Sequence, residues 1–260
     1  MTTTAQGLME AAAEVARKAG DVALGFFRER VEVESKGDGS PVTVADRTAE
    51  QTARSWIEAR FPEDGILGEE FGEVRATAKR RWILDPIDGT RTFVRGVPLW
   101  GTLVAIAEGE RILAGCAYFP AVGELLVAAP GQGCFWNDRP TRVSQEADLS
   151  RAVILATDER FLAYPNRGQA WRALSSKVGM TRTWGDCYGY LLLATGRAEV
   201  MVDEVLSPWD AAALQPIIEE AGGVFTDWTG TRTSFGGSAI ATNKALDVPV
   251  RTLLGAVRET

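Results

Sequence analysis

Trp82-Ile83-Leu84-Asp85-Pro86-Ile87-Asp88-Gly89-Thr90 is the stretch on which the fold of this chain turns. Three apolar residues run as a strand out into Asp85, where proline, lacking a backbone N–H, is expected to block its continuation. Asp88 follows three residues after Asp85, Gly89 permits a tight backbone, and Thr90 brings a hydroxyl. Two carboxylates at that spacing on a turn can converge on one cation or bridge two, with the Ile87 carbonyl between them as a further hard oxygen. If the chain enters a helix here, the Gly89 and Thr90 amides can hydrogen-bond an anion. The plain alternative is an Asp-Pro turn with an ordinary cap.

The whole chain sets bounds on that chemistry. It has 260 residues, 28 Lys+Arg against 35 Asp+Glu, a net charge of -7 and 45% hydrophobic residues, an ordinary globular composition. An acidic chain has no long-range attraction for phosphate backbones or anionic lipid, so neither nucleic acid nor a membrane is expected as partner. Charge-free stretches such as Gly96 to Ala107 fall short of the roughly 20 apolar residues of a membrane span. Met1 to Gln6 lacks the basic start of a secretory signal. Three cysteines without CxxC spacing suggest neither a disulfide framework nor a thiolate metal site, and a cytoplasmic location follows by default. There is no histidine. Ser-His-Asp and Cys-His nucleophiles and His-ligated zinc or iron are therefore impossible, leaving carboxylates, hydroxyls, lysine or a hard metal on oxygen ligands.

Periodicity gives the layout. Leu8, Ala12, Val15, Ala19, Val22 and Phe26 step by four and three, as one stripe of an amphipathic helix. A Gly- and Pro-rich turn follows at 36–41, then the β-branched run Val42-Thr43-Val44 and a second helix from near Asp46, closed at 61–65. Segments 82–84, 102–107, 112–119 and 125–128 read as strands, with a hairpin at 131–138. From about 150, strands at 152–156, 180–184, 200–202, 224–226 and 239–242 alternate with helices at 166–178, 188–195, 209–221 and 244–257. One compact unit over 1–260 is expected, with a mixed-sheet subdomain 1–148 and an alternating α/β subdomain 149–260.

Three further carboxylate positions stand out. Glu69 and Glu70 follow Ile66-Leu67, and adjacent carboxylates repel unless something positive sits beside them. In Ser207-Pro208-Trp209-Asp210-Ala211-Ala212, Ser207 suits an N-cap, Pro208 the first helical position, and Asp210 the first turn. Asp46 after Val42-Thr43-Val44-Ala45 is, by itself, most simply an N-cap.

In this order and spacing, VTVAD at 42–46, GEE at 68–70, WILDPIDGT at 82–90, PWDAA at 208–212 and AGG at 221–223 resemble the inositol monophosphatase family of metal-dependent sugar-type phosphatases. The resemblance covers essentially the whole chain. It implies a mixed α+β and α/β fold of layered αβαβα type, shared with fructose-1,6-bisphosphatases, and a homodimer. It further implies roughly two or three Mg²⁺ ions per site, held by Glu69, Asp85, the Ile87 carbonyl, Asp88 and Asp210. Asp46 and Thr90, with Glu69, would activate the attacking water, and the Gly89 and Thr90 amides would hold the phosphate.

Phe93-Val94-Arg95-Gly96-Val97-Pro98-Leu99-Trp100, Trp184 to Tyr190 and Phe235 to Asn243 look more like histidinol-phosphate phosphatases than inositol enzymes. Histidinol phosphate carries an ammonium and an imidazole, so its site should hold carboxylates beyond the metal ligands. Asp186 and Asp203, with Glu204 third, are candidates for the cationic end, although Asp186 also suits an N-cap. Arg91 and Arg95 are candidate substrate contacts. The expected activity is Mg²⁺-dependent hydrolysis of L-histidinol phosphate. The alternatives are an inositol-1-monophosphatase or broad sugar phosphatase, and a catalytically inactive homologue that binds metal or ligand.

Overall fold

The computed structural model describes residues 4–37, 39–158 and 165–256. Helix α1 (Ala5–Phe26) and helix α2 (Val44–Arg60) flank a short hairpin of β1 (Val33–Ser35) and β2 (Pro41–Thr43). A mixed eight-stranded sheet follows. Its strands are β3 (Gly65–Gly68), β4 (Gly72–Val74), β5 (Arg81–Asp88), β6 (Gly101–Glu108), β7 (Arg111–Phe119), β8 (Glu124–Ala129), β9 (Gly133–Trp136) and β10 (Arg139–Thr141). Their order is β10-β9-β8-β7-β6-β5-β3-β4, with only β3 and β5 parallel. The four-residue helix α3 (Thr90–Phe93) leaves the end of β5.

A five-stranded sheet, ordered β12-β11-β13-β15-β14, is built from β11 (Val153–Ala156), β12 (Met180–Arg182), β13 (Val200–Asp203), β14 (Val224–Thr226) and β15 (Ala239–Thr242). The helices of this part are α4 (Pro165–Ser175), α5 (Asp186–Ala194), α6 (Pro208–Ala211), α7 (Leu214–Glu220) and α8 (Asp247–Leu254).

Strand alternation sorts the side chains into layers. On β5, Trp82 and Leu84 face the core under α1 and α2, whereas Ile83 faces the opposite core under α5 and α7. On β13, Met201 joins that second core, and Val200 and Val202 join a third beneath α4 and α8. Two helices, a sheet, central helices, a second sheet and two further helices are thus stacked, the αβαβα order that the resemblance implies.

Four local expectations need correction. Strand β5 does not stop at Pro86 but continues to Asp88 through a register shift between Asp85 and Asp88. A bulge asks no ladder N–H of the proline, so the strand bends instead of ending. The helix expected over 209–221 is two helices broken at Ala212-Ala213, because Pro216 cannot sit in a helix interior but is tolerated in the first turn of α7. Val44 belongs to α2, and the cap of that helix is Thr43, not Asp46. The last helix begins only at Asp247 and closes at Gly255, in the left-handed region with φ 67°; Val257 lies outside the described residues.

The central helices approach the large sheet closely. A Cβ built on Gly115 of β7 would lie 2.3 Å from the Ala213 carbonyl oxygen and 2.8 Å from the Pro216 ring. Since the obstacle is backbone, Gly115→Ala should destabilise the protein by about 1–3 kcal/mol, read as a lower urea midpoint. An unchanged midpoint would mean that this contact is looser than described.

Candidate active site

The bulge in β5 places Asp85 and Asp88 on the same side of the strand end. Asp85 Oδ1 accepts from the Ile87 amide at 3.0 Å, which closes the turn. At the entrance to α6, Ser207 and Asp210 form a capping box in which the Ser207 amide donates to Asp210 Oδ2 at 2.7 Å. The Cys187 amide at the start of α5 donates to Asp88 Oδ2 at 2.5 Å. Carboxyl oxygens of Asp85, Asp88 and Asp210 come within 4.8 Å of one another, close enough for one hard cation to touch all three.

These residues line a cleft of about 140 Å³ together with Glu69, Ile87, Gly89 and Thr90, and Asp186 and Asp203 line it too. Asp46 stands behind the cleft. Its Oδ1 accepts from the Thr90 hydroxyl at 3.2 Å, and its Oδ2 accepts from the Thr43 amide and hydroxyl at 2.8 and 2.7 Å. The Thr90 hydroxyl also lies 2.9 Å from the Ile87 carbonyl. Arg91 is exposed and lies outside the cleft, on the wall of an adjoining 610 Å³ cavity that shares Thr157 and Asp186 with it. Arg95 lines the same outer cavity. Glu204 is engaged by Arg167 and does not line the cleft, so it is no longer a candidate for the cationic end. Asp186 follows the cap, Gly185, and does not serve as one.

Six carboxylates around 140 Å³ carry an electrostatic cost. Burial, then the neighbouring carboxylates, pushes Asp85 and Asp88 well above the ordinary carboxylate range. Burial lifts Asp210 to about 6 against the Ser207 amide that favours its ionised form. It lifts Asp186 to about 6, opposed by Thr92 and Arg91, and Asp203 to about 7, opposed by Thr157 and Tyr190. The donors are all oxygens of hard, anionic or carbonyl type, so the cleft fits a hard divalent cation.

Several functional neighbours escaped the sequence reading. Lys36 Nζ bridges Glu69 Oε1 at 2.7 Å and Glu70 Oε1 at 2.6 Å, the positive partner that adjacent carboxylates require. Burial works against its charge, but those two carboxylates outweigh the cost and hold its pKa above the usual lysine value. Behind the same turn, Glu50 is wholly buried on α2; it accepts from the Glu70 and Phe71 amides at 2.7 and 3.2 Å and from Arg54 at 2.7 Å. Tyr190 donates to Asp203 Oδ2 at 2.8 Å. The hint for Lys36 was present in the demand for a counter-charge; nothing local marked the others.

The layered core and its all-oxygen acidic cleft define the metal-dependent phosphomonoesterase class. The chain belongs to the inositol monophosphatase family, whose model matches residues 5–257. It is 44% identical over 251 residues to the histidinol-phosphatase of Chlorobaculum parvum, covering 96% of each chain. It is 39% identical to the histidinol-phosphatase of Mycobacterium tuberculosis, over 86% of this chain and 88% of that one. Among solved structures, the extragenic suppressor protein suhB of Bartonella henselae superposes with a TM-score of 0.90 at 30% identity, over 95% of this chain and 98% of that one.

The raised carboxyls make cation binding depend on pH. A carboxyl whose pKa rises on folding holds its proton more tightly in the folded state. Its contribution to stability is whole below the unfolded value near 3.8 and drains away as pH climbs through the folded values of about 6 to 7. A divalent cation competes with those protons. The rise in melting temperature produced by Mg²⁺ over a chelator-treated sample should be slight at about pH 5 and grow toward about pH 8. An increment independent of pH would place the cation elsewhere.

Proposed function

We propose that this chain is a Mg²⁺-dependent phosphomonoesterase whose main substrate is L-histidinol phosphate, hydrolysed to L-histidinol and phosphate. The observation that carries the reading is the pair of cleft carboxylates beyond the candidate metal ligands, Asp186, which lines both the cleft and the outer cavity, and Asp203, which lines the cleft. An ammonium-bearing alcohol would find its counter-charge there. The similarity to two histidinol-phosphatases supports the same substrate.

In this reading Glu69, Asp85, the Ile87 carbonyl, Asp88 and Asp210 hold two or three Mg²⁺ ions. Bound divalent ions acidify a water and screen the charge that develops on the leaving oxygen. The residues of the chain do the rest. Thr43 fixes the Asp46 carboxylate with two hydrogen bonds, and Asp46 orients the Thr90 hydroxyl toward the cleft. As the water attacks phosphorus and the ester P–O bond breaks, the Thr90 oxygen accepts the water's proton while the Thr90 proton passes to Asp46, and the departing alcohol oxygen takes a proton from solvent. No histidine is required. The Gly89 and Thr90 amides, at the start of α3, hold the phosphate oxygens. Arg91 contacts the part of the ester that lies outside the cleft.

The same reading makes the protein a cytoplasmic homodimer. Among the described residues no helix is long and apolar enough to cross a membrane. All three cysteines are free and buried, as suits a reducing compartment. The exposed Met180 and Trp184, on and beside edge strand β12, suit a subunit contact.

Asp88→Asn should lower kcat by about a thousandfold or more while circular dichroism and gel filtration stay those of the wild type. Full activity in this variant would move the site elsewhere. Phosphate release from L-histidinol phosphate and from myo-inositol 1-phosphate, compared as kcat/KM on one preparation with Mg²⁺, should favour the former by about a hundredfold, near 2.7 kcal/mol. The reverse preference would keep the metal chemistry and make the chain an inositol phosphatase. No turnover of either ester would favour an inactive ligand-binding homologue.

A further inference from the structure

Asp186 stands in the left-handed region, with φ 50°, at the first position of α5. Aspartate tolerates that region better than most residues, but it is still unfavourable and needs support from its surroundings. The support is Thr157, which follows the last residue of β11. The Thr157 Oγ1 accepts from the Asp186 amide at 2.7 Å. The chain comes close enough for this only because residue 185 is glycine: a Cβ there would lie 2.2 Å from the Thr157 Cα.

Thr157 lines the cleft together with Asp203, which is held by the Tyr190 hydroxyl on its carboxylate at 2.8 Å and by the Trp228 indole on its carbonyl at 2.9 Å. The position of Asp186 is therefore set by one hydroxyl at the end of β11. Its own carboxylate sits over Gly89, with Oδ2 3.1 Å from where a Gly89 Cβ would be, at the junction of the cleft and the outer cavity.

We infer that Thr157 is a positioning residue for substrate choice: it fixes where the Asp186 carboxylate stands at the junction of the cleft and the outer cavity and thereby sets the preference for esters whose alcohol carries a cation. This rests on the reading of Asp186 and Asp203 given above. Thr157 takes no part in the bond-breaking step. Its loss should fall on recognition of the cationic alcohol, and not on hydrolysis in general.

The test compares Thr157→Val, which keeps the shape and removes donor and acceptor, with Thr157→Ser, which restores the hydroxyl. L-Histidinol phosphate and 4-nitrophenyl phosphate are the two substrates, assayed on the full-length enzyme with Mg²⁺. In Thr157→Val the ratio of kcat/KM for the ester with the cationic alcohol over the ester with the neutral alcohol should drop about tenfold, the scale of a lost hydrogen bond that leaves a buried amide unpaired, mainly through a raised KM. Thr157→Ser should recover most of the ratio. If the valine variant does not fold, Thr157→Ala is measured in its place. An unchanged ratio, or equal losses on both esters that serine does not repair, would overturn the assignment while leaving the substrate intact. A wild-type enzyme with no preference for the cationic ester would overturn the substrate reading, and this assignment with it.

Discussion

Carboxylates that face one another in a small cleft repel, and burial adds the cost of lost hydration to the repulsion. Here six of them share about 140 Å³. Everything around the cleft bears on that constraint, because each carboxylate must be held in place without its charge being cancelled. Backbone amides do this most economically. Asp88 takes the Cys187 amide, Asp210 the Ser207 amide, Asp85 the Ile87 amide and Asp46 the Thr43 amide. An amide donor orients a carboxylate and lowers its pKa somewhat, yet leaves its second oxygen and its net charge available to a cation.

The layered fold brings those amides to one place. Three helices, α3, α5 and α6, begin at the cleft, and α2 begins just behind it, with Asp46 of its first turn bonded to Thr90. The bulged end of β5 passes between them. The helices come from both halves of the chain, so the cleft forms only where the large sheet, the central helix layer and the small sheet meet. Misplacing the central layer would pull Asp210 and the α5 amide away from Asp85 and Asp88 together. The close approach of α7 to Gly115 is one contact that prevents this. The Glu50–Arg54 pair serves the remaining corner, fixing the turn that carries Glu69 from beneath.

What could be read in the sequence follows from this division. The motifs at 82–90 and 207–212 were legible because each is a local device: a strand end, a proline, a cap and a carboxylate within a few residues. The strand and helix alternation of the second half was legible for the same reason, as was the layer order that the family resemblance implies. Boundaries failed where a proline had two outcomes. Pro86 bends β5 through a bulge although it looked like a stop, and Pro216 splits a helix that periodicity alone would continue. Lys36 and Thr157 could not be picked out from local pattern, since their partners lie 33 and 29 residues away at Glu69 and Asp186. Neither has a spacing rule of its own. Only the general demand for a counter-charge beside Glu69 and Glu70 pointed toward something like Lys36.

The volumes separate chemistry from recognition. A cavity of about 140 Å³ is well below the roughly 300–1,000 Å³ of sites that enclose a small-molecule ligand. It has room for the reacting group and its ions, and little beyond. The adjoining 610 Å³ cavity lies within that range and joins the cleft at Thr157 and Asp186. A phosphate ester whose phosphate sits among the carboxylates must extend its alcohol through that junction. In the proposed reading Glu69, Asp85, Asp88 and Asp210 are constrained by one another and by the cation, so they cannot vary without loss of the reaction. The junction and the outer cavity carry no such constraint. Substrate preference can therefore change there at little cost to the chemistry, which explains how one family can keep its metal core while its members act on different alcohols.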